Sequence, residues 1–294
     1  MTSAGSRIVK KSLLALVVGV VALMFFAPLL VIFTNSFMST FEIVNRYTHH
    51  IRPGNMLYAG ESIHFVRVGL IPDFASLRQY ISLFLGHPIY LRNFWNSVAL
   101  AFPIVAGQIL ISAPAAYAFE MSRWRGKEGV YFVYIVVMLL PLQVTLVPNF
   151  IMADWMNLMG SRWAVILPGI FNPFGVFILR QFLRNFPKDY AEAAQIDGAG
   201  HLTTFIRVIA PMFKPAIAAL FMLAFVENWN LVEAPRIFLE SAAEPLSVYL
   251  AQMAGAHLDM IFAASFFYLL PCVIILLYGQ EFMIEGIQLS GVKG

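Results

Sequence analysis

Cysteine occurs once in the 294 residues, at Cys272, which excludes an internal disulfide. Within an apolar stretch a lone cysteine reads as a small buried hydrophobe. Charge is also scarce: Asp, Glu, Lys and Arg make up 12% of the chain and hydrophobic residues 60%, whereas a soluble domain carries about a quarter charged residues. That balance describes a polytopic membrane protein. Metal-ligand spacing is missing too. The histidines (His49, His50, His64, His87, His201, His257) stand in no pattern with cysteine or carboxylate, and His-Glu-x-x-His does not occur, so neither a catalytic nor a metal site is expected. A phosphate loop is absent as well: Gly5 through Ser12 ends Lys10-Lys11-Ser12 but lacks the second glycine, and it precedes an apolar run instead of following a strand. Any ATP chemistry must therefore belong to another chain. The pI near 9.0 follows from a basic excess at an inner membrane face and calls for no nucleic acid.

Long uncharged stretches are what the chain has in abundance, at 12–41, 93–119, 129–153, 163–179 and 260–280. A bilayer-crossing helix needs about 20 mostly apolar residues. A sixth stretch begins after Lys214 and is apolar apart from Glu227, Asn228 and Asn230. The sequence predicts an all-α integral membrane protein with six transmembrane helices near 12–34, 93–119, 130–151, 163–182, 215–234 and 260–281.

Lys and Arg accumulate in cytoplasmic segments. With the N-terminus inside, the cytoplasmic set is Arg7, Lys10, Lys11, Arg123, Arg125, Lys127, Arg180, Arg184, Lys188, Arg207, Lys214 and Lys293. Seven cations remain outside: Arg46, Arg52, Arg67, Arg78 and Arg92 share one long loop, and only Arg162 and Arg236 lie in short loops. N-in and C-in is the expected topology. Residues 1–34 read as an uncleaved N-terminal helix, because the apolar run exceeds the roughly 7–15 residues of a signal core and no small-x-small site follows. Residues 35–91 form a long extracytoplasmic loop, where alternation around Arg46-Tyr47-Thr48 and Ile63–Val68 is compatible with short strands or a small cap. Residues 92–294 make the core domain, with a cytoplasmic loop at 185–214.

Prolines punctuate the spans at 28, 103, 114, 141, 148, 168, 173 and 271. Broken helices in lipid are tolerated where the freed backbone is buried in protein or lines a cavity. That favours a transporter or channel over a simple anchor.

In the 185–214 loop, Pro187 sits near a helix start, Ala191-Glu192-Ala193-Ala194 favours helix, and Gly198 is a stop, giving one helix of about ten residues. Tyr190, Ala193 and Ala194 share one of its faces. Beyond Gly200 a second helix carries Leu202, Phe205, Ile206 and Ile209 at i, i+3, i+4 and i+7, and Pro211 is expected to end it. This apolar stripe must be buried, either on the protein's own helix ends or on a partner.

Glu192-Ala193-Ala194, then Gly198, then Val208-x-Ala210-Pro211 resembles the EAA loop of binding-protein-dependent ABC importer permeases, E-A-A-x3-G-x9-I-x-L-P. Val208 replaces isoleucine and Ala210 replaces leucine; Asp197 and Ala199 fit the Asp-Gly-Ala common in that family. Asn93-Phe94-Trp95-Asn96-Ser97 is similar to the F-x-N-S that opens the permease core. Trp229-Asn230 and the terminal Gly291-Val292-Lys293-Gly294 resemble the carbohydrate-uptake branch, the ending being similar to the smaller membrane subunit of the maltose importer.

The resemblance implies a type I ABC importer permease fold in a bacterial inner membrane, importing a sugar or oligosaccharide by alternating access. It implies a second homologous permease, two ATPase subunits and an extracytoplasmic solute-binding protein as partners. ATP and Mg would be held by the ATPases, with no cofactor on this chain. Glu192, Ala193, Ala194, Asp197, Gly198, Ala199, Leu202, Phe205 and Pro211 would couple to an ATPase, and Gly291, Val292, Lys293 and Gly294 would reach between the two ATPases. An importer of glycerol-phosphate or another polar solute is the alternative, followed by a self-sufficient channel or secondary transporter.

Glu227 is a separate candidate, because an ionisable group in a span marks a pathway or a polar partner. At about 1.5 Å per residue it lies roughly 20 Å along the helix from Lys214, toward the outer face. With Asn228 and Asn230 it would contact sugar hydroxyls or gate the outer mouth; interfacial solvation or a hydrogen bond to the partner permease is the other reading. Gln143, Asn149, Asn172 and Gln280 are weaker pathway candidates, since amides in a bundle also join helices.

Overall fold

Among the described residues, hydropathy and length single out four helices able to cross a membrane: Lys10–Asn35, Pro88–Met121, Trp163–Arg184 and Ile261–Phe282. Two bent pairs qualify if each counts as one span, Lys127–Met138 with Leu142–Trp155 at 100° and His201–Met212 with Lys214–Trp229 at 76°. The computed structural model describes residues 2–48, 69–256 and 260–291. Among them there is no strand, only an isolated bridge between Gly160 and Leu239.

In chain order the helices are α1 (Thr2–Asn35), α2 (Thr40–Ile43), α3 (Arg78–Ile81), α4 (Pro88–Met121), α5 (Lys127–Met138), α6 (Leu142–Trp155), α7 (Trp163–Ile170), α8 (Pro173–Arg184), α9 (Asp189–Ile196), α10 (His201–Thr204), α11 (Ala210–Met212), α12 (Lys214–Trp229), α13 (Glu233–Phe238), α14 (Leu246–Ala256) and α15 (Ile261–Gly291). The chain divides into two compact units, Met1–Leu91 with Leu250–Leu269, and Arg92–Tyr249 with Leu270–Gly294.

The first unit is pinned by side chains bonding to backbone. Gln79 donates to the carbonyls of Asn35 (2.7 Å) and Met38 (2.9 Å) and accepts from the Ala263 amide, while the Tyr90 hydroxyl donates to the Ala264 carbonyl at 2.7 Å. Arg46-Tyr47-Thr48 lies in a π-helical turn (Val44–Thr48) continuing α2, not in a strand. Arg46 bridges Glu42 and Asp73 at 2.9 Å each, and the Asn35 amide donates to Tyr47, so the turn is held by contacts that alternation does not encode. The expected alternation at 63–68 lies outside the described residues. Helix α1 is apolar around its circumference and exposed from Lys10 to Leu30, as suits a helix facing lipid.

In the second unit α4 crosses α7 and α8 at small residues. A Cβ on Gly107 would strike Ile170, one on Gly169 would strike Ile104, and one on Gly175 would strike Ser112. Such close approach gives membrane helices their packing contacts when no hydrophobic force separates lipid from protein. Phe94 and Phe225 pack on Trp229, with centroids at 5.6 and 5.3 Å, joining α4 to α12. Asn96 and Ser97 tie α4 to the segment before α14: Asn96 donates to the Ala242 and Glu244 carbonyls and accepts from Arg162, and Ser97 accepts from the Leu246 amide.

Three expectations need correction. The span expected near 130–151 is broken, because Pro141 in extended conformation starts α6 and a proline biases the preceding residue away from helix. Prolines 28, 103, 114, 148, 168 and 271, by contrast, lie inside helices. The span expected to reach 234 stops at Trp229, where the side chains of Asn228 and Asn230 donate to the Ala224 and Val226 carbonyls and so compete with the backbone ladder. Pro211 does not end its helix. The π turn Phe205–Ile209 absorbs it, with the Ala210 amide bonding the Phe205 carbonyl, and the helix continues to Met212.

Candidate functional site

The break between α5 and α6 and the end of α12 open on one cavity. It has a volume of about 740 Å³ and is lined from α5 to α8 and from the end of α12 to α13. Its polar groups are Thr145, Asn149, Asn172, Glu227 and Asn228, set among aliphatic and aromatic residues that include Phe171 and Phe174. Asn172 is positioned by the sequence Asn-Pro: Pro173 occupies the first turn of α8, and the Asn172 side-chain oxygen caps that helix by accepting from the Phe174 amide at 3.0 Å. Its amide nitrogen is then left for the Glu227 carboxylate, with which the side chain interacts. Glu227 is reached from α12, two residues before the helix stops at Trp229.

Of the three polar residues expected on the fifth span, Glu227 and Asn228 line the cavity and Asn230 is not among its lining residues. Among the weaker amides, Asn149 and Asn172 join them, whereas Gln143 bonds Glu233. Phe171 and Phe174 were not readable as lining residues, because nothing local distinguishes an aromatic beside a cavity from one beside lipid.

The 185–214 loop is the second feature. Helix α9 ends in a Schellman motif: the Ala199 amide bonds the Ala194 carbonyl at 2.9 Å, the Gly198 amide bonds the Gln195 carbonyl at 3.0 Å, and Gly198 has φ +87°. Only glycine adopts that conformation without strain. Ala191 is buried and Ala194 half-buried, so the inward face is theirs, not that of Tyr190 and Ala193. Glu192, Ala193, Asp197 and Gly198 are exposed, and Glu192 meets Arg123 in a surface ion pair at 3.2 Å.

The apolar stripe is split by the π turn. Ile209 is fully buried and Phe205 packs on Tyr117 at 5.3 Å, while Leu202 and Ile206 turn outward, 70% and 56% exposed, beside Ile196 at 86%. Gly291 ends α15; Val292, Lys293 and Gly294 lie outside the described residues.

Helix α8 runs from the cavity to this loop, and an ion network built on the buried pair Arg180 and Glu120 grips it. Arg180, 8% exposed, donates to Glu120 at 3.2 Å and Glu128 at 2.6 Å and lies 3.8 Å above the Tyr131 ring. Lys188, immediately before α9, reaches the other Glu120 oxygen at 3.2 Å. In the sequence Arg180 stands out only as a topology marker, since pairing it with residues fifty to sixty positions away requires the fold. No group of His, Cys, Asp and Glu that could hold a metal occurs among the described residues.

Residues 108–282 match the family described as the binding-protein-dependent transport system inner membrane component. The chain is 32% identical over 241 residues to the arabinooligosaccharides transport system permease protein AraQ of Bacillus subtilis (strain 168), covering 79% of this chain and 86% of that protein. It is 29% identical over 204 residues to the lactose transport system permease protein LacG of Rhizobium radiobacter, covering 68% and 74%. Its fold is similar to a chain in the crystal structure of a bacterial ABC transporter involved in the import of the acidic polysaccharide alginate, with TM-score 0.76, 21% identity, and 96% and 99% coverage. With the loop, the broken helices and the sequence match in agreement, the chain belongs to the binding-protein-dependent transport system inner membrane components.

Proposed function

We propose that this chain is one permease half of an ATP-driven importer in a bacterial inner membrane, carrying a sugar or oligosaccharide delivered by an extracytoplasmic binding protein. The observation that carries the coupling part of this reading is the outward exposure of Ile196, Leu202 and Ile206 on the 185–214 loop. Large apolar side chains left exposed on a structured loop suit a docking surface for an ATPase. Glu192, Ala193, Ala194, Asp197, Gly198 and Ala199 shape the helix that docks, Phe205 and Pro211 set its base, and Gly291, Val292, Lys293 and Gly294 reach between the two ATPases. Six spans with both termini inside place this loop on the ATPase side. ATP and Mg stay on those subunits.

The mechanism follows from the connections of α8. ATP-driven closure of the ATPases moves the docked loop; Lys188 and Arg180 transmit that movement to the ends of α4, α5 and α8 through Glu120 and Glu128. Because α8 begins at Asn172, the same displacement reshapes the cavity wall. A second homologous half closes the other side, and the two rock between outward and inward openings. The relatives named for arabinooligosaccharide and lactose transport support the sugar assignment.

The test is co-purification and uptake in proteoliposomes. Two ATPases and a second permease are expected to elute with the chain, and Glu192→Lys is expected to abolish ATP-driven uptake of an arabinooligosaccharide while the chain still reaches the membrane. Full uptake by that variant, or elution without an ATPase, overturns the proposal. Orientation is read separately: a single cysteine at Arg125 should be shielded from an impermeant maleimide added outside cells, and one at Ser161 should be labelled.

A further inference from the structure

The cavity wall carries one carboxylate, three amides and a hydroxyl, and none of its lining residues is Lys, Arg or His. A carboxylate only accepts hydrogen bonds, whereas an amide both donates and accepts. That set matches the hydroxyl groups of an uncharged sugar, each of which donates as well as accepts. Phe171 and Phe174 add aromatic rings to the wall, apolar surface suited to the C–H groups of a pyranose or furanose. A carboxylated or phosphorylated solute meets a wall of the wrong sign. Its charge would find Glu227 with no cation lining the cavity to answer it, in a cleft whose apolar walls strengthen the field.

We infer that Glu227 makes this cavity charge-selective, admitting neutral polyhydroxylated solutes, an uncharged oligosaccharide in particular, and rejecting acidic saccharides and sugar phosphates. This deepens the importer reading and rests on it, because the cavity must be the solute's path. Asn172 acts as a positioning residue: its oxygen is committed to the α8 cap, so its amide faces the Glu227 carboxylate and keeps it directed into the cavity. The similar fold in an importer of an acidic polysaccharide does not argue otherwise, since at 21% identity only the fold is common ground.

The experiment reads the sign of the cavity without relying on the binding protein. Cys272, the only cysteine, is replaced by alanine and Thr145→Cys is introduced as a reporter on the cavity wall, in the assembled importer in proteoliposomes. Reaction rates with a cationic trimethylammonium, a neutral hydroxyethyl and an anionic sulfonate methanethiosulfonate are each divided by the rate with a free thiol. The cation-to-anion ratio is expected to be about tenfold, to collapse to about unity with Glu227→Gln, and to be retained with Glu227→Asp.

Maltotriose, as an uncharged probe, is expected to slow the labelling, and trigalacturonate to do so only in Glu227→Gln. A ratio unaltered by Glu227→Gln, no labelling by any reagent, or equal protection or none by the two saccharides overturns the inference. ATP-driven uptake measured on the same proteoliposomes stays a separate readout, so charge selection can fail while the importer reading stands, and the reverse.

Discussion

The cavity and the 185–214 loop depart from their surroundings in opposite directions. In the cavity, polar side chains (Asn149, Asn172, Glu227, Asn228) stand among apolar ones in a membrane-embedded part of the chain. On the loop, apolar side chains (Ile196, Leu202, Ile206) stand exposed among charged and polar ones. Each departure costs free energy in the isolated chain, by desolvating a carboxylate in one case and by wetting hydrocarbon in the other. The lesson is that in a membrane chain the two kinds of site call for opposite search rules, and a hydrophobicity scan finds only the first.

Helix α8 and its ion network join the two regions, and breaking that link carries the largest expected effect. Arg180→Met leaves Glu120 buried with only Lys188 for company, and removing one member of a buried ion pair costs about 3–5 kcal/mol. Thermal unfolding in detergent should reveal a large loss of stability; a native-like transition would mean the two regions are not joined through these charges. Next comes the loop surface. Ile196→Asp is expected to leave stability within about 0.5 kcal/mol, since the side chain is exposed. Recovery of ATPase on the affinity-purified chain should nevertheless fall about thirtyfold, as for a hot spot worth about 2 kcal/mol. Undiminished recovery would remove the apolar trio from the docking surface.

A smaller change tests the shape of that surface. At Gly198, with φ +87° and open space around it, an added Cβ meets no neighbour and only backbone strain remains. Gly198→Ala should therefore cost about 1–2 kcal/mol locally and speed hydrogen exchange at the Ala199 amide, which bonds the Ala194 carbonyl. Unchanged exchange would show that the Schellman turn does not depend on glycine. On the cavity side, Asn172→Ala removes the α8 cap for about 1 kcal/mol. Asn172→Ser should restore the lost stability without restoring the contact with Glu227, so a difference between these two variants in cavity labelling separates capping from positioning.

Much of this was legible along the chain, and the reason is locality. The apolar runs that make α1, α4 and α15 are continuous, and the helix with its glycine stop at Gly198 follows from residues within one turn of each other. Asn-Pro at 172–173 is likewise a local instruction. The misread features all depend on distant partners. Prolines 103, 114 and 141 look alike in sequence, yet only the last coincides with a break. The stripe Leu202, Phe205, Ile206, Ile209 has regular helical spacing, but the π turn that accommodates Pro211 shifts the register and turns half of it outward. Arg46-Tyr47-Thr48 alternates like a strand and is held as a helical turn by Glu42, Asp73 and Asn35.

The amino-acid order alone determined that this is a membrane-embedded, helical chain without its own nucleotide or metal motif, and that it carries a loop resembling a coupling element. Those properties follow from composition, run length and short-range spacing, each a sum over neighbours. Only the tertiary structure decided which residues of the loop face outward, that Arg180 is gripped by Glu120 and Glu128, and that Asn172 meets Glu227 at the cavity wall. These are pairings between residues far apart in the chain, chosen by how the helices cross, and the small residues that permit the crossings, Gly107, Gly169 and Gly175, do not by themselves name their partners.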